Sequence, residues 1–264
     1  MQQNMGGDPP ADAGGPVNVV CIKWGTAYSP DYVNRLYGMV ARNLSRPFRF
    51  VCFTDDARGI IPAVECAPIP PLNEPAAGPG GGWRKLSLLA PQLLDLKGMA
   101  LFLDLDVLIT GSLDCFFDLP GQLCIIENWT QRGKGIGNSS VFRFDVGSLA
   151  DAYRRFNDNP DEAARPYSNE QAYLSLTPKS VTMRFWPDRW VRSFKVHCVR
   201  FAPLRPFLAP HIPHDARIIA FHGFPKMDEA AAGKKLWEPS KHPKSTMPWF
   251  WRKAPWIDDI WMRA

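Results

Sequence analysis

Two aspartates one residue apart, Asp104 and Asp106, stand where a run of apolar residues ends, and they are the side chains from which chemistry is first expected. Met99 to Leu103 is continuously apolar and has the length of a buried strand. Val107 to Ile109 resumes the pattern before Gly111 and Ser112 turn the chain. Residues i and i+2 of a strand share a side, so the spacing predicts that Asp104 and Asp106 face one cation while Leu105 turns into the core. Two carboxylates at the end of a buried strand are costly unless something cationic meets them, and no cation neighbours them in sequence. Oxygen ligands suit a hard divalent ion, Mn²⁺ or Mg²⁺, that also holds phosphate oxygens. Asp-x-Asp is common by chance. Here it falls at the carboxyl end of a predicted core strand, the edge where open α/β sheets bind their ligands.

The elements that must position this pair follow an α/β order. Val17–Trp24 reads as a first strand. Ser29-Pro30 opens a helix, with Val33, Leu36, Tyr37, Val40 and Leu44 at helical spacing. Phe48–Phe53 is a second strand closing on Thr54-Asp55-Asp56, where the acids either cap a turn or, for Asp55, hold a base or ribose. The Pro- and Gly-rich stretch 67–83 excludes a regular element, and it lacks the G-x-x-x-x-G-K-[ST] pattern of a P-loop. Trp83–Lys97 is expected to be helical, with Pro91 breaking it and Gly98 stopping it. Gln122–Glu127, Ser140–Phe144 and Arg217–Phe221 read as further strands, and 148–157 and 169–176 as helices. The order of elements from 178 to 216 is not legible.

Composition narrows the class. The chain has 264 residues, 45% of them hydrophobic and 22% charged, with a net charge of +5. The length suits one large α/β domain or two small ones, and the mild charge suits a phosphorylated ligand or an anionic membrane surface at least as well as nucleic acid. There is no apolar run of membrane-spanning length, and the first residues have neither the basic start nor the apolar segment of a signal peptide. Six scattered cysteines without a C-x-x-C pair fit a reducing, cytoplasmic setting. Residues 1–16 read as a flexible tail, 17–240 as the folded domain, and 241–264 as a Trp-rich basic segment.

FLDLDVLITGSLDCFF resembles the Asp-x-Asp segment of GT-A glycosyltransferases, nearest to family 8, the glycogenin and bacterial lipopolysaccharide galactosyltransferase group. Further pieces match in the same order: VVCIKWGTAY, Arg84-Lys85-Leu86, Asn138-Ser139-Ser140-Val141, Asn169-Glu170-Gln171, and His222-Gly223-Phe224-Pro225-Lys226. The resemblance implies a GT-A-like domain, a mixed, mostly parallel sheet flanked by helices. It implies a nucleotide-sugar donor, most simply a UDP-sugar, and a metal held by Asp104, Asp106 and His222. Donor contacts would come from Trp24, Tyr28, Asp55, Lys85, Leu105, Asn138, Gly223 and Lys226, with Arg84 near the phosphates. Glu170 and Gln171 would stand at the reacting carbon, with retention of configuration. The chain departs from the family at Glu170, where the family carries Asp, and at Ser140, where it carries Gly.

Transfer of a sugar from a nucleotide diphosphate needs the leaving charge neutralised, which a divalent ion and lysines can do. The acceptor would be a glycan or a lipid-linked hydroxyl. The tryptophans and basic residues after Lys241 are expected either to dock on the domain or to touch an anionic membrane. The rival readings are a haloacid-dehalogenase-like phosphatase with Asp104 as nucleophile and Asp106 as acid, and an inactive sugar- or membrane-binding module.

Overall fold

The computed structural model describes residues 15–76, 81–201, 204–205, 207–223, 225–233 and 252–263. Most of the N-terminal stretch, part of the Gly-rich loop, and Trp249, Phe250 and Trp251 with Lys241 and Lys244 lie outside these described residues.

Strand β1 (Val17–Lys23) is buried along its whole length, because its alternate side chains enter two different cores. Val19 and Cys21 pack on one face of the sheet with helix α1 (Pro30–Asn43), while Val20 and Ile22 pack on the other. This is the pattern of a strand covered by helices on both faces. The expected helix after Ser29 is α1, with Pro30 at its start and Val33, Leu36, Met39 and Val40 inward. β2 (Phe48–Thr54), β3 (Glu65–Ala67) and β4 (Met99–Leu103) extend the sheet in parallel, with β1 between β2 and β4.

β4 then meets a change of direction. It pairs antiparallel with β7 (Gly137–Asp145), which pairs antiparallel with β6 (Leu123–Glu127), and β6 pairs parallel with β8 (Met183–Phe185). The sheet order is therefore β3-β2-β1-β4-β7-β6-β8, the mixed, mostly parallel sheet expected. A three-stranded sheet stands beside it: β5 (Val107–Ile109), β10 (Ile218–Ala220) and β9 (Val191–Ser193), in the order β5-β10-β9. The shorter helices are α2 (Cys115–Asp118), α3 (Ala150–Asp158), α4 (Pro160–Ala164), α5 (Glu170–Leu176), α6 (Met227–Ala232) and α7 (Trp256–Trp261).

The helix expected over Trp83–Lys97 is not an α-helix. Gly81–Leu89 is a 3₁₀ helix, and Ala90 N–H still reaches back three residues to the Ser87 carbonyl. Pro91 lacks an N–H and crowds the carbonyl four residues back, so the segment tightens and ends instead of continuing. Trp83, Leu86 and Leu89 are buried as expected, and Gly98 stops the segment with φ 71°. All six cysteines are free.

The described end of the chain docks on the domain. Trp261 packs edge-on to Tyr32 of α1 at 4.9 Å, and the Arg35 guanidinium lies 4.2 Å above its ring. Trp256 donates its indole N–H to the Pro210 carbonyl at 3.0 Å, and Arg42 donates to the Ile260 carbonyl. For residues 252–263 docking is the outcome. Trp261 is only 6% exposed, so Trp261→Ala should cost about 3 kcal/mol of folding stability. A denaturant titration that leaves the midpoint unmoved would show that α7 contributes nothing to the fold.

Candidate active site

The carboxyl ends of β1 and β4 open into a cavity of about 420 Å³. Its lining includes Trp24, Tyr28, Lys85, Asp104, Leu105, Asp106, Asn138, Glu170, Gln171, His222 and Gly223, which is nearly the whole set expected from the sequence. Each arrives by a different route. Asp104 to Asp106 is the turn that leaves β4, anchored by Asp104 N–H donating to the Ser140 carbonyl at 2.8 Å. Leu105 turns into the core, as the spacing predicts.

His222 comes from far along the chain. β10 runs antiparallel to β5 with Ala220 opposite Val107, and Phe221 N–H then donates to the Asp106 carbonyl at 3.0 Å. That register brings the next residue, His222, to the mouth of the acidic turn.

The two aspartates are not left bare. Lys85, from the 3₁₀ helix, places Nζ 2.7 Å from Asp104 Oδ2, and Tyr28 donates its hydroxyl to Asp106 Oδ2 at 2.7 Å. A protein cation therefore meets the pair, which adjacency in sequence did not reveal. One lysine does not balance the acids. Burial, outweighing the lowering effect of Lys85, and the neighbouring Asp106 push the Asp104 pKa up to about 7. Burial raises Asp106 as well. For Lys85 burial pulls the pKa down, but Asp104, Glu170 and Asp106 together more than reverse that and leave it raised. Burial and the Asp106 charge likewise keep the Tyr28 phenol protonated.

Glu170 opens α5 but does not cap it. The cap is Asn169, whose side-chain oxygen accepts from Ala172 N–H at 3.0 Å. Glu170 instead accepts from Ser139 Oγ at 2.9 Å. Its carboxylate lies so close to Gly82 that a Cβ on that glycine would come within 2.6 Å of Oε2. Gly82 belongs to the 3₁₀ helix, so the expectation that 67–83 holds no regular element fails at its last residues, and a side chain there would make the Glu170 carboxylate shift. Gln171 Oε1 accepts from Asn138 Nδ2 at 3.0 Å and Ser139 N–H at 3.2 Å, which ties α5 to β7.

His222 sits against Trp129, ring on ring at 5.3 Å, with Nε2 2.7 Å from Ser193 Oγ. Burial, with Lys195 and His197 nearby, lowers its pKa to about 4, so the imidazole is neutral at ordinary pH. Among the described residues, no three His, Cys, Asp or Glu side chains are grouped as a metal site. His222 shares the cavity with the aspartates while bonding to Ser193.

Two expected residues stand just outside the lining. Asp55 accepts from Gly25 N–H at 2.9 Å, bracing the loop after β1. Lys226 donates to the Ala27 carbonyl at 3.2 Å and lies 4.7 Å above the Tyr28 ring. Arg84 is ion-paired to Glu74 at 2.6 Å and is not in the cavity. Sequence reasoning missed Gly82, Ser139, Trp129, Ser193 and Lys195. Lys195 is half-buried, with Nζ 3.6 Å from where a Cβ on Gly223 would stand. Among these, only Ser139 carried a sequence signal, because it lies inside the Asn-Ser-Ser-Val piece.

The fold has counterparts of known structure. The galactosyltransferase LgtC, solved with donor and acceptor sugar analogues, superposes with a TM-score of 0.56 at 15% identity, over 80% of this chain and 88% of that one. An active-site mutant of LgtC gives a TM-score of 0.57 at 15% identity, over 88% and 97%. The glycosyltransferase GlyE of Streptococcus pneumoniae gives 0.53 at 14% identity, over 80% of this chain and 56% of its own. The fold is that of the GT-A glycosyltransferases. No protein-family description matches the sequence, and no curated protein does. The phosphatase and binding-module readings are not favoured.

The buried pair makes a pH-dependent prediction. Lys85→Met leaves two buried carboxylates without their cation and should cost about 3 kcal/mol at pH 8. An acid whose pKa is raised by folding favours the folded state at low pH and loses that contribution as pH rises from its unfolded value toward its folded one. The deficit of the variant should therefore shrink as pH falls from 8 to about 5. Equal loss at both values in urea unfolding would show that the Asp104 charge is not what the lysine balances.

Proposed function

We propose that this protein is a metal-dependent glycosyltransferase that moves a sugar from a nucleotide-diphosphate donor, most simply a UDP-sugar, to a glycan or lipid-linked hydroxyl with retention of configuration. The observation that carries the reading is the convergence of Asp104, Asp106, Lys85, Glu170, Gln171 and His222 in one cavity at the carboxyl edge of a GT-A sheet. Both the fold and the residue types suit a donor whose diphosphate needs positive charge at the moment of bond cleavage.

The acidic pair suits a divalent ion, while His222, bonded to Ser193, is not grouped with it as a third ligand among the described residues. Two buried carboxylates share one lysine, and their raised pKa values express a demand for further positive charge. Asp104, Asp106 and a neutral His222 would hold the ion, an oxygen-and-imidazole set that suits Mn²⁺ and, less well, Mg²⁺. When bound, such an ion supplies Lewis-acid neutralisation of the diphosphate.

The protein's own groups do the rest. Lys226, anchored over the Tyr28 ring at the edge of the cavity, and Lys85 on its floor add charge near the leaving phosphates. Tyr28 holds Asp106 in place by donating to it. Trp24 and the loop braced by Asp55 offer a surface for the base. Glu170 and Gln171, locked to β7 through Ser139 and Asn138, present a carboxylate and an amide toward the sugar.

No helix among the described residues is long and apolar enough to cross a membrane. Residues 252–263 dock on the domain, so a cytoplasmic enzyme held against an anionic membrane by the basic and aromatic residues between Lys241 and Trp251 would meet a lipid-linked acceptor where that acceptor is.

A thermal-shift panel of UDP-, GDP- and CMP-linked sugars, with and without Mn²⁺, tests the donor. The true donor should raise the melting temperature by mass action, and more so with metal. Asp106→Ala should keep the fold, abolish Mn²⁺-dependent donor hydrolysis and weaken nucleotide-diphosphate binding. Full hydrolysis by that variant, or in excess chelator, would remove the metal from the mechanism. Glu170→Gln should lower turnover by orders of magnitude while donor affinity stays within a few-fold. Unchanged turnover would leave Glu170 a structural role only.

A further inference from the structure

β9 and β10 run side by side and parallel, with Ser193 opposite Ala220. Both strands end at that level, so the residues that follow them leave the sheet together. After β10 the chain passes through Phe221 and His222 to Gly223, which turns with φ 75° at the mouth of the cavity. After β9 it enters the π turn Phe194–Cys198, whose second residue is Lys195. Val199 N–H closes this turn on the Phe194 carbonyl at 3.1 Å, and Ser193 N–H donates to His197 Nδ1 at 3.0 Å. Phe194 stacks on Phe221 at 4.8 Å, which ties the exit of one strand to the exit of the other. Single π turns are frequent at functional sites. This one sets a lysine beside the cavity, with Lys195 Nζ 3.6 Å from where a Cβ on Gly223 would stand.

That ammonium has no answering charge. Lys195 is half-buried, makes no ion pair among the described residues, and feels only burial, which lowers its pKa. The nearest acid in sequence, Asp188, is taken up by Arg132 at 2.6 Å and by Arg192 at 2.5 Å. A half-buried cation without a carboxylate costs stability. Such a group is kept where a ligand supplies the negative charge.

The topology of the small sheet says which charge that is. β10 lies between β5 and β9. On the β5 side stand Asp106 and Tyr28, with Lys226 over the Tyr28 ring and Trp24 in the same cavity. That is the flank given above to the base. Lys195 reaches the His222–Gly223 turn from the β9 side, the flank of Trp129 and Ser193. A nucleoside diphosphate laid with its base toward Tyr28 and its phosphates along this turn would carry its distal phosphate toward β9.

We infer that Lys195 is a further donor-binding residue, its ammonium pairing with the phosphate farther from the base. The assignment rests on the glycosyltransferase reading and adds to it a third lysine from a third element. Lys85 comes from the 3₁₀ helix, Lys226 from the start of α6, and Lys195 from the π turn.

The experiment is calorimetric titration of the full chain with UDP, GDP and CDP, and with the matching monophosphates, in the presence of Mn²⁺. Lys195→Met keeps the long stem of the side chain and removes its charge. For the diphosphate that wild type binds, the variant should bind about tenfold or more weakly, because a charge-assisted contact is lost. Its affinity for the matching monophosphate should change by less than about threefold on the same ground. The melting temperature of the ligand-free variant should equal or exceed that of wild type, since an unpaired half-buried charge is gone. Unchanged diphosphate affinity, or an equal loss for diphosphate and monophosphate, would overturn the inference and leave the glycosyltransferase reading standing. A fall of several degrees in the ligand-free melting temperature would make Lys195 a structural residue and overturn it too. Wild type that binds none of the three diphosphates would remove the proposed function itself, and this assignment with it.

Discussion

The site depends on keeping two carboxylates buried one residue apart at the end of a central strand. Asp104 and Asp106 are exposed to each other's field in a low-dielectric corner, and burial alone works against their ionisation. Each therefore has a dedicated partner from a different element: Lys85 from the 3₁₀ helix on Asp104, and Tyr28 from the loop after β1 on Asp106. Those contacts fix two of the walls of the cavity. Even with those contacts, burial leaves both carboxyl groups with raised pKa values.

Much of the surrounding architecture can be read as the means of holding that corner. The antiparallel pairing of β7 to β4 places Ser140 O over Asp104 N–H and carries Asn138 and Ser139 to the rim. Asn138 and Ser139 in turn hold α5 by its first two side chains. The bare Cα of Gly82 gives the Glu170 carboxylate room to approach. In the small sheet the register of β10 on β5 decides where His222 stands, and that of β10 on β9 brings Ser193 alongside. A slip of that register by one residue would turn every alternate side chain of β10 to the opposite face.

His222 shows how the same residue can be poised for more than one partner. It is neutral through burial, stacked on Trp129, and hydrogen-bonded to Ser193. A neutral imidazole is the form that ligates metals, and the Ser193 bond is one it would exchange or keep depending on which nitrogen is used. Lys195, on the π turn that follows β9, adds positive charge near His222.

The sequence by itself determined the strands around the acidic pair and the helix α1. Their signals are local, namely continuous apolar runs, a serine-proline start and helical spacing, and burial on both faces enforces them. The order of its motif pieces also pointed to most of the residues that line the cavity, though Asp55, Lys226 and Arg84 stand outside it. Tertiary structure alone decided the partnerships. Lys85 lies nineteen positions from Asp104, and nothing along the chain says that its ammonium will answer that carboxylate. The Trp83–Lys97 segment has helical spacing yet folds as a 3₁₀ turn, since Pro91 forbids the α continuation and packing on the sheet accepts the tighter form. Lys195 was illegible as well. Sequence records that a side chain is charged, and only the folded chain decides whether a carboxylate is left to answer it.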